Sequence, residues 1–532
     1  MRSSSSAPVP AKRVWIAAFA LLITYAVLAW YCRIPGVSPS NDDAIYVMLA
    51  QALRAGSYRE LYHLDQPYHT QYPPGWPALL ALAGALSGDT LRVSFALVTA
   101  LATGGLLLFF DAVRRWWPGW FALLALALAV FNAGVLRMGG RLMSEASYFF
   151  FSMLALWALA PVHPSGRRQV LATAASIASA FMRSVGLSAI GAVFLWHVAR
   201  RNWRGAALHG AAAALTLGPW LAWNFIGPRQ VPGRSYASDL AVQVSKGYRG
   251  IVADVVDRAR IIVTGDLPTV LPFLRLEGTP IDNIAWLLIL LIFGGLGLVA
   301  LWRRWRAVSI YLVLYFAVLF AFTWTTRRFL FPVQPLVSLL LLAGAFACTR
   351  SVDRRVRLAV ILLLVASIAW RGGQQVADLG GERRYCDRSR PHISPGCYDA
   401  DQRSFFAAAE FARDSLPMAS TIMVEREASF AYHSRRRVIH AENALALGDA
   451  DLLSFLRREH IDYILIGRLT SVEATELPQS LLPHCEVLEL VRVFPPRTYL
   501  FRVRAANESE ARGAACDVLQ RLVASSPAGG DV

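Results

Sequence analysis

Apolar residues run along this chain in long uncharged blocks, at 14–31, 93–110, 119–136, 284–302, 307–324 and 329–348, with short polar turns between them. Each block approaches the ~20 residues that cross ~30 Å of hydrocarbon. Further blocks at 146–161, 169–182, 184–199, 207–226 and 358–370 raise the expected total to about eleven spans. Residues 169–199 are the awkward stretch: two passes leave about 15 residues each, short for an untilted crossing, and one pass inverts everything downstream. We read two. Residues 75–87 are apolar but too short to span, and read as a helix lying in the outer interface with Trp76 at headgroup level. Beyond 371 the pattern changes. Charged helical stretches at 402–414 and 450–459 alternate with strand-like runs at 421–425 and 463–467. The expected fold class is an α-helical polytopic membrane protein over 1–371, followed by an extracytoplasmic α/β domain over 372–532.

Composition agrees with that division. Of 532 residues, 55% are hydrophobic and 17% charged, where a soluble chain carries about 25% charge. A soluble enzyme and a disordered or fibrous chain are both excluded. The formal charge of +17 is almost entirely arginine, with lysine only at Lys12 and Lys246. The arginines sit in short turns: Arg114-Arg115, Arg167-Arg168, Arg200-Arg201 with Arg204, Arg303-Arg304 with Arg306, and Arg350 through Arg357. That placement is the positive-inside signature of a multi-span protein rather than a nucleic-acid surface. With the amino terminus inside, residues 32–92, 137–145, 227–283, 325–328 and 371–532 fall outside. The first block follows Arg2, Lys12 and Arg13, has no A-x-A site after it, and reads as an uncleaved anchor. Four of the six cysteines lie in the tail, where disulfides persist outside the cytoplasm; Cys386 and Cys397 are the easiest pair. No zinc-type Cys/His spacing occurs, and His433 and His440 read as solvated tail residues.

The unusual polar residues collect on the outer side of this topology. Asn41-Asp42-Asp43-Ala44-Ile45-Tyr46 follows the first span, and Tyr72-Pro73-Pro74-Gly75 comes later in the same loop. Arg141 and Glu145 lie between the third and fourth spans, Arg183 after the fifth, Asn224 at the end of the seventh, and Arg327-Arg328 before Phe329-Leu330-Phe331-Pro332. Carboxylates beside several arginines at a membrane surface suit chemistry on an anionic lipid headgroup.

These motifs resemble a known family. Asp42-Asp43-x-x-Tyr46 resembles the Asp-Glu-x-x-Tyr signature of the glycosyltransferase C superfamily, with Asp43 in place of the more usual Glu. Tyr72-Pro73-Pro74-Gly75 resembles the Pro-Pro motif of its protein mannosyltransferase and lipid A aminoarabinose transferase branch. Arg327-Arg328-Phe329-Leu330 with Pro332 and Pro335 resembles the later Arg-Tyr-x-x-Pro motif. The resemblance implies an inverting, integral-membrane glycosyltransferase that moves a sugar from a polyprenyl-phosphate donor to a lipid, glycan or protein acceptor. Its site would face outward from the inner membrane, among membrane lipids. An oligosaccharide polymerase or ligase using diphosphate-linked glycans is the rival within the class, and a transporter the rival outside it.

Phosphate leaves as a stable anion, so no general acid is required, unlike the paired carboxylates of glycoside hydrolysis. One carboxylate suffices to take the acceptor's proton, and arginines suit the phosphate through bidentate bonds. Asp42 is read as that base, against an N-cap of the helix 43–54; Asp43 is read as a supporting carboxylate, against an exposed first-turn acid. Glu145 is read as a substrate partner, against an ion pair with Arg141. Arg327, Arg328, Arg183 and Arg141 are the donor-phosphate candidates, against headgroup snorkelling. Tyr46, Tyr72, Pro73, Pro74 and Asn224 are read as shaping the loop or touching substrate, the two prolines because they fix φ and prevent helix. A divalent cation, if one is used, falls to Asp42 and Asp43; no organic cofactor is implied.

Overall fold

Among the described residues the predicted apolar blocks fall mainly on helix. The computed structural model describes residues 11–88, 91–226, 236–271, 280–322, 327–349, 353–441, 445, 449–470, 472–505, 508 and 513–525; the rest of the predicted outer loop 227–283, at 227–235 and 272–279, lies outside the described residues. Among the described residues four helices are long and apolar enough to cross a membrane, Lys12–Tyr31, Leu91–Arg114, Asn283–Arg304 and Leu358–Arg384, and Gly119–Val130 with Ala133–Gly139 makes a fifth if counted as one bent span. These describe a multi-pass membrane protein. The remaining blocks form the helices Glu145–Ala158, Gly166–Met182, Leu187–Ala199, Trp203–Ile226, Arg306–Ala321 and Gln334–Cys348, which are not among these, so length and composition alone do not carry a count of eleven.

Two breaks shape the helical part. The bent pair turns through 71° because Asn132 restarts the helix: its Oδ1 accepts from Val135 N at 3.1 Å while its Nδ2 donates to Val270 O at 2.8 Å. Residues 169–199 break at Arg183, whose backbone is extended at φ −159° and ψ 138°. The chain then doubles back so tightly that a Cβ on Gly186 would lie 2.4 Å from the Ala180 backbone nitrogen, and only glycine fits there. Asn202 Nδ2 donates to Gln169 Oε1 at 3.3 Å, so the far ends of the two helices meet again as a hairpin.

The arginine-rich turns at 114–116, 160–168, 199–204 and 303–306 gather at one end of the bundle. Arg304 Nη1 donates to Trp116 O at 3.0 Å, Trp116 Nε1 to Ala160 O at 3.0 Å, and Arg306 Nη1 to Ala199 O at 3.4 Å. The Arg183 turn lies at the opposite end, together with the segment 32–88. The helix Gly75–Ser87 forms as expected, but Trp76 is not at a surface. It is fully buried, with its indole N–H directed at Leu142 O at 3.4 Å; the exposed side of this helix is carried by Leu82 and Leu86.

The last long helix, Arg354–Arg384, continues through the expected boundary at 371/372. Beyond it stands a five-stranded mixed sheet of β1 (Thr421–Val424), β2 (Arg437–His440), β3 (Tyr463–Ile466), β4 (Leu488–Phe494) and β5 (Thr498–Val503) in the order β2-β1-β3-β5-β4. β1 runs parallel to β2 and β3, and β5 antiparallel to β3 and β4. β1 and β3 are almost wholly buried, as central strands of a sheet covered on both faces are. Disulfides join Cys386 to Cys397 and Cys485 to Cys516. At the open edge of β2 residues 62–64 add a parallel bridge, with Val438 N donating to Tyr62 O at 3.2 Å and Leu64 N to Val438 O at 3.1 Å.

Candidate active site

Asp42 opens the helix Asp42–Arg54. Its carboxylate does not cap that helix. Oδ1 accepts from the Tyr72 hydroxyl at 2.9 Å, and Oδ2 accepts from Arg328 Nη2. Arg328 comes from the short turn Arg327–Leu330 and also approaches Glu145 Oε1, with Nε at 3.8 Å. Glu145, only 3% exposed, pairs with Arg183 Nη1 at 2.8 Å, and the same nitrogen donates to Ser144 Oγ at 3.1 Å. Two carboxylates and two guanidinium groups therefore alternate around one point, drawn from four parts of the chain. Phe329 steadies the cations, with the Arg183 and Arg328 guanidinium carbons 4.6 and 5.7 Å from its ring centre.

Burial pushes the Asp42 carboxyl up, but the Arg328 charge, the hydrogen bonds from Arg328 and Tyr72, and the Arg183 charge outweigh it and hold the group below its ordinary range. Asp43 goes the other way. Burial raises it, and the neighbouring Asp42 charge adds to that, against hydrogen bonds from Ser38 and Ser40. Asp43 Oδ2 accepts from Ser38 N at 2.7 Å and Oδ1 from Ser40 Oγ at 3.2 Å. The two adjacent acids thus turn to different partners. No group of three or more His, Cys, Asp or Glu side chains suited to a metal ion occurs among the described residues.

A cavity of about 320 Å³ adjoins the cluster, lined by Arg183, Leu187, Leu217, Leu319 and Phe329. Pro73 and Asn224 also line it. The Asn224 amide donates to Thr70 O at 2.6 Å and accepts from Trp220 Nε1 at 3.3 Å. The wall is mostly apolar, with a charged group at one side.

No protein-family profile matches the chain, and neither does any curated protein sequence. Solved structures do match. ArnT from Cupriavidus metallidurans superposes with a TM-score of 0.54 at 13% identity, covering 92% of this chain and 98% of that one in its apo state. Bound to undecaprenyl phosphate, the same protein gives 0.51 at 13% identity over 95% and 100%. The archaeal oligosaccharyltransferase AglB from Archaeoglobus fulgidus, in complex with an inhibitory peptide and a dolichol-phosphate, gives 0.52 at 13% identity over 86% and 70%. This is the glycosyltransferase C fold.

Within the glycosyltransferase C fold, the residues singled out from sequence separate into two groups. Asp42, Glu145, Arg183, Arg328 and Tyr72 converge as described, and Tyr46 joins them through its hydroxyl, 3.0 Å from Ser144 Oγ, with its ring 4.9 Å from that of Tyr72. Pro74 precedes the helix Gly75–Ser87 at φ −74°. Arg327 turns away: it is 66% exposed and pairs with Asp266 at 3.2 Å. The Arg141–Glu145 ion pair does not form, because Arg141 lies before the helix Glu145–Ala158 rather than on it; its Nε is buried without a hydrogen-bond partner among the described residues. His433 and His440 are not solvated. His433 Nε2 lies 3.1 Å from Val37 O and His440 Nε2 lies 3.4 Å from Glu427 Oε2.

Sequence reading missed the support behind Tyr72. Glu60 Oε1 meets His69 Nδ1 at 2.8 Å, both buried, and His69 Nε2 accepts from Tyr72 N at 2.8 Å. Tyr58 donates from its hydroxyl to Tyr72 O at 2.8 Å. The proton therefore sits on Nδ1, and the backbone of Tyr72 is gripped on both sides, which aims its phenol at Asp42.

Proposed function

We propose that this chain is an inverting membrane glycosyltransferase that moves a sugar from a polyprenyl-phosphate donor to an envelope acceptor, a lipid, glycan or protein, at the outer face of the inner membrane. The observation that carries the reading is the Asp42 carboxylate, held by Tyr72 and Arg328, beside an apolar cavity whose charged wall is Arg183. ArnT was solved with undecaprenyl phosphate and AglB with dolichol-phosphate, and an apolar cavity with an arginine at its edge suits a phosphate carried on a prenyl chain. The gathering of arginine-rich turns at the end of the bundle away from the site supports an outward-facing site under the positive-inside rule. The sheet-bearing tail then lies on the same outer side.

In this mechanism Asp42 accepts the proton of the acceptor hydroxyl as its oxygen bonds to the anomeric carbon, and the bond from that carbon to the phosphate oxygen breaks on the opposite face. The donor phosphodiester carries one negative charge and the released polyprenyl phosphate carries roughly two at neutral pH. Asp42 loses its negative charge in the same step, so the site's total charge is unchanged. Arg328 and Arg183 take up the charge growing on phosphate. Arg328 is tied to Asp42; phosphate drawing Arg328 toward itself frees the carboxylate and makes it a better base.

The test is transfer itself. Membranes carrying the chain, given a radiolabelled polyprenyl-phosphate sugar, should label envelope material with inverted anomeric configuration. Labelling only from diphosphate-linked glycans would replace this reading with oligosaccharide transfer, and solute flux with no sugar transfer would replace it with transport.

A further inference from the structure

Asn41 is an unusual N-cap. An asparagine before a helix ordinarily spends its side chain on the helix's first amide groups, yet Asn41 makes no side-chain cap bond. Its backbone sits at φ 75° and ψ −48°, close to the rare positive-φ γ-turn, which is strained for any residue bearing a Cβ. It is also 7% exposed. What occupies the amide is the tail. Oδ1 accepts from Ser429 N at 3.1 Å and Nδ2 donates to Glu427 Oε2 at 3.3 Å.

The rest of the approach to Asp42 is held the same way. Ser429 Oγ donates to Ser38 O at 2.9 Å, Arg426 Nη1 donates to Ser40 O at 3.4 Å, and His433 Nε2 donates to Val37 O at 3.1 Å. All of these partners lie on or next to the helix Glu427–Ser434. His440 from β2, 3.4 Å from Glu427 Oε2, fixes the carboxylate that Asn41 uses. The same β2 edge pairs with residues 62–64, so the loop carrying Asp42 and Tyr72 is anchored to the tail at two places.

We propose that Glu427 and Ser429 are positioning residues for the transfer reaction: through Asn41 they hold the strained turn that directs Asp42 at Tyr72 and Arg328. The proposal rests on the reading of Asp42 as the base. It makes the α/β tail a working part of the site rather than an appended domain, although neither tail residue touches substrate.

The experiment uses the full-length chain in membranes. Asn41→Asp keeps the acceptor for Ser429 N but sets a second carboxylate against Glu427. Turnover should fall about 10-fold to 10²-fold, the scale of a catalytic group misplaced by about 1 Å, with the KM for the polyprenyl-phosphate donor within about twofold of normal, because the arginines holding the phosphate are untouched. Adding Glu427→Gln to the same chain supplies a donor to the new carboxylate and should restore most of the turnover. Hydrogen exchange should rise at residues 38–46 in Asn41→Asp, return in the double variant, and stay unchanged in the membrane helices. Asn41→Gly keeps the positive φ without strain and loses only the side-chain bonds, so it replaces Asn41→Asp if that chain does not fold. Wild-type turnover in either single variant overturns the proposal, as does a double variant no better than Asn41→Asp. If the wild-type chain transfers no sugar, the functional reading fails, and the exchange measurements still decide whether Glu427 and Ser429 hold the turn.

Discussion

Asp42 and Arg328 stand 286 residues apart in sequence and share a direct charge-assisted hydrogen bond at the centre of the site. Arg327, the adjacent residue, instead pairs with Asp266 at the surface. In a short turn, neighbouring side chains diverge, so a pair of arginines offers one to the site and one to solvent.

Arg328→Gln and Arg327→Gln should therefore behave differently. A hydrogen bond to a charged group contributes ~1.5–3 kcal/mol, so loss of Arg328 should raise the donor KM by about tenfold or more. Arg327 is two-thirds exposed, and exposed pairs contribute little, so its variant should stay within about twofold. Steady-state kinetics with varied donor settles the matter; equal effects would move the phosphate away from Arg328.

The pH dependence follows from the same bond. The proposed base is active when deprotonated, and Arg328 helps to hold Asp42 below the usual carboxylate range against the upward push of burial. In the free enzyme the acid limb of kcat/KM should accordingly lie at unusually low pH. Removing the cation lets burial dominate, so in Arg328→Gln the limb should move to higher pH. A limb that stays in place in the variant would mean that another group sets it.

How far the site was legible from sequence depends on the kind of contact. The helices follow from uncharged runs that only lipid or a core accepts, and the hairpin at Arg183 from a run that is too long for one pass and short for two. Asp42, Tyr72 and Arg328 were legible because motifs of acid, aromatic and arginine occur in order, and the predicted topology puts them on one side. The misreadings have a common cause. Trp76 resembles an interfacial anchor until Leu142 covers it, and His433 and His440 resemble solvated residues until Val37 of the first loop meets the one and Glu427 the other. Glu60, His69 and Asn41 carry no periodic signal at all; their roles arise from buried contacts that one-dimensional spacing does not encode.

A second pH effect belongs to the tail. Glu473 is fully buried, and burial raises its carboxyl to about 7, against a hydrogen bond from Leu469 N and the Arg426 charge. The folded chain therefore keeps this proton over a range in which the unfolded chain, near 4.5, has released it. The contribution runs against folding as pH rises: stability should fall between about pH 4.5 and 7 by up to about 1.4 kcal/mol per unit and level off above the folded value. Glu473→Gln does not titrate, so its stability should lack this slope. Denaturant unfolding of the tail signal across pH, compared between the two chains, measures the difference; identical slopes would assign the dependence elsewhere.

The most direct prediction concerns Asp42 and its neighbour. Asp42→Asn keeps the size of the side chain and can still accept from Tyr72, but it cannot take the acceptor's proton, so turnover should fall ~10²–10⁴-fold. Donor binding should survive or tighten, because Arg328 is no longer tied to a carboxylate and is free for phosphate. Asp43→Asn acts through the loop instead. Asp43 Oδ2 accepts from Ser38 N at 2.7 Å, and an amide nitrogen placed there would face another donor, so the loop must adjust. Its variant should lose less turnover than Asp42→Asn and should lose thermal stability, whereas Asp42→Asn should remain well folded. An N-cap role for Asp42 forecasts the opposite, since Asn caps about as well as Asp and the change would be nearly silent. The side-chain partners already speak against capping, as both oxygens are engaged by Tyr72 and Arg328. A folded Asp42→Asn enzyme keeping at least roughly a third of normal turnover falls far short of the loss of a general base, and would remove Asp42 from the proton transfer.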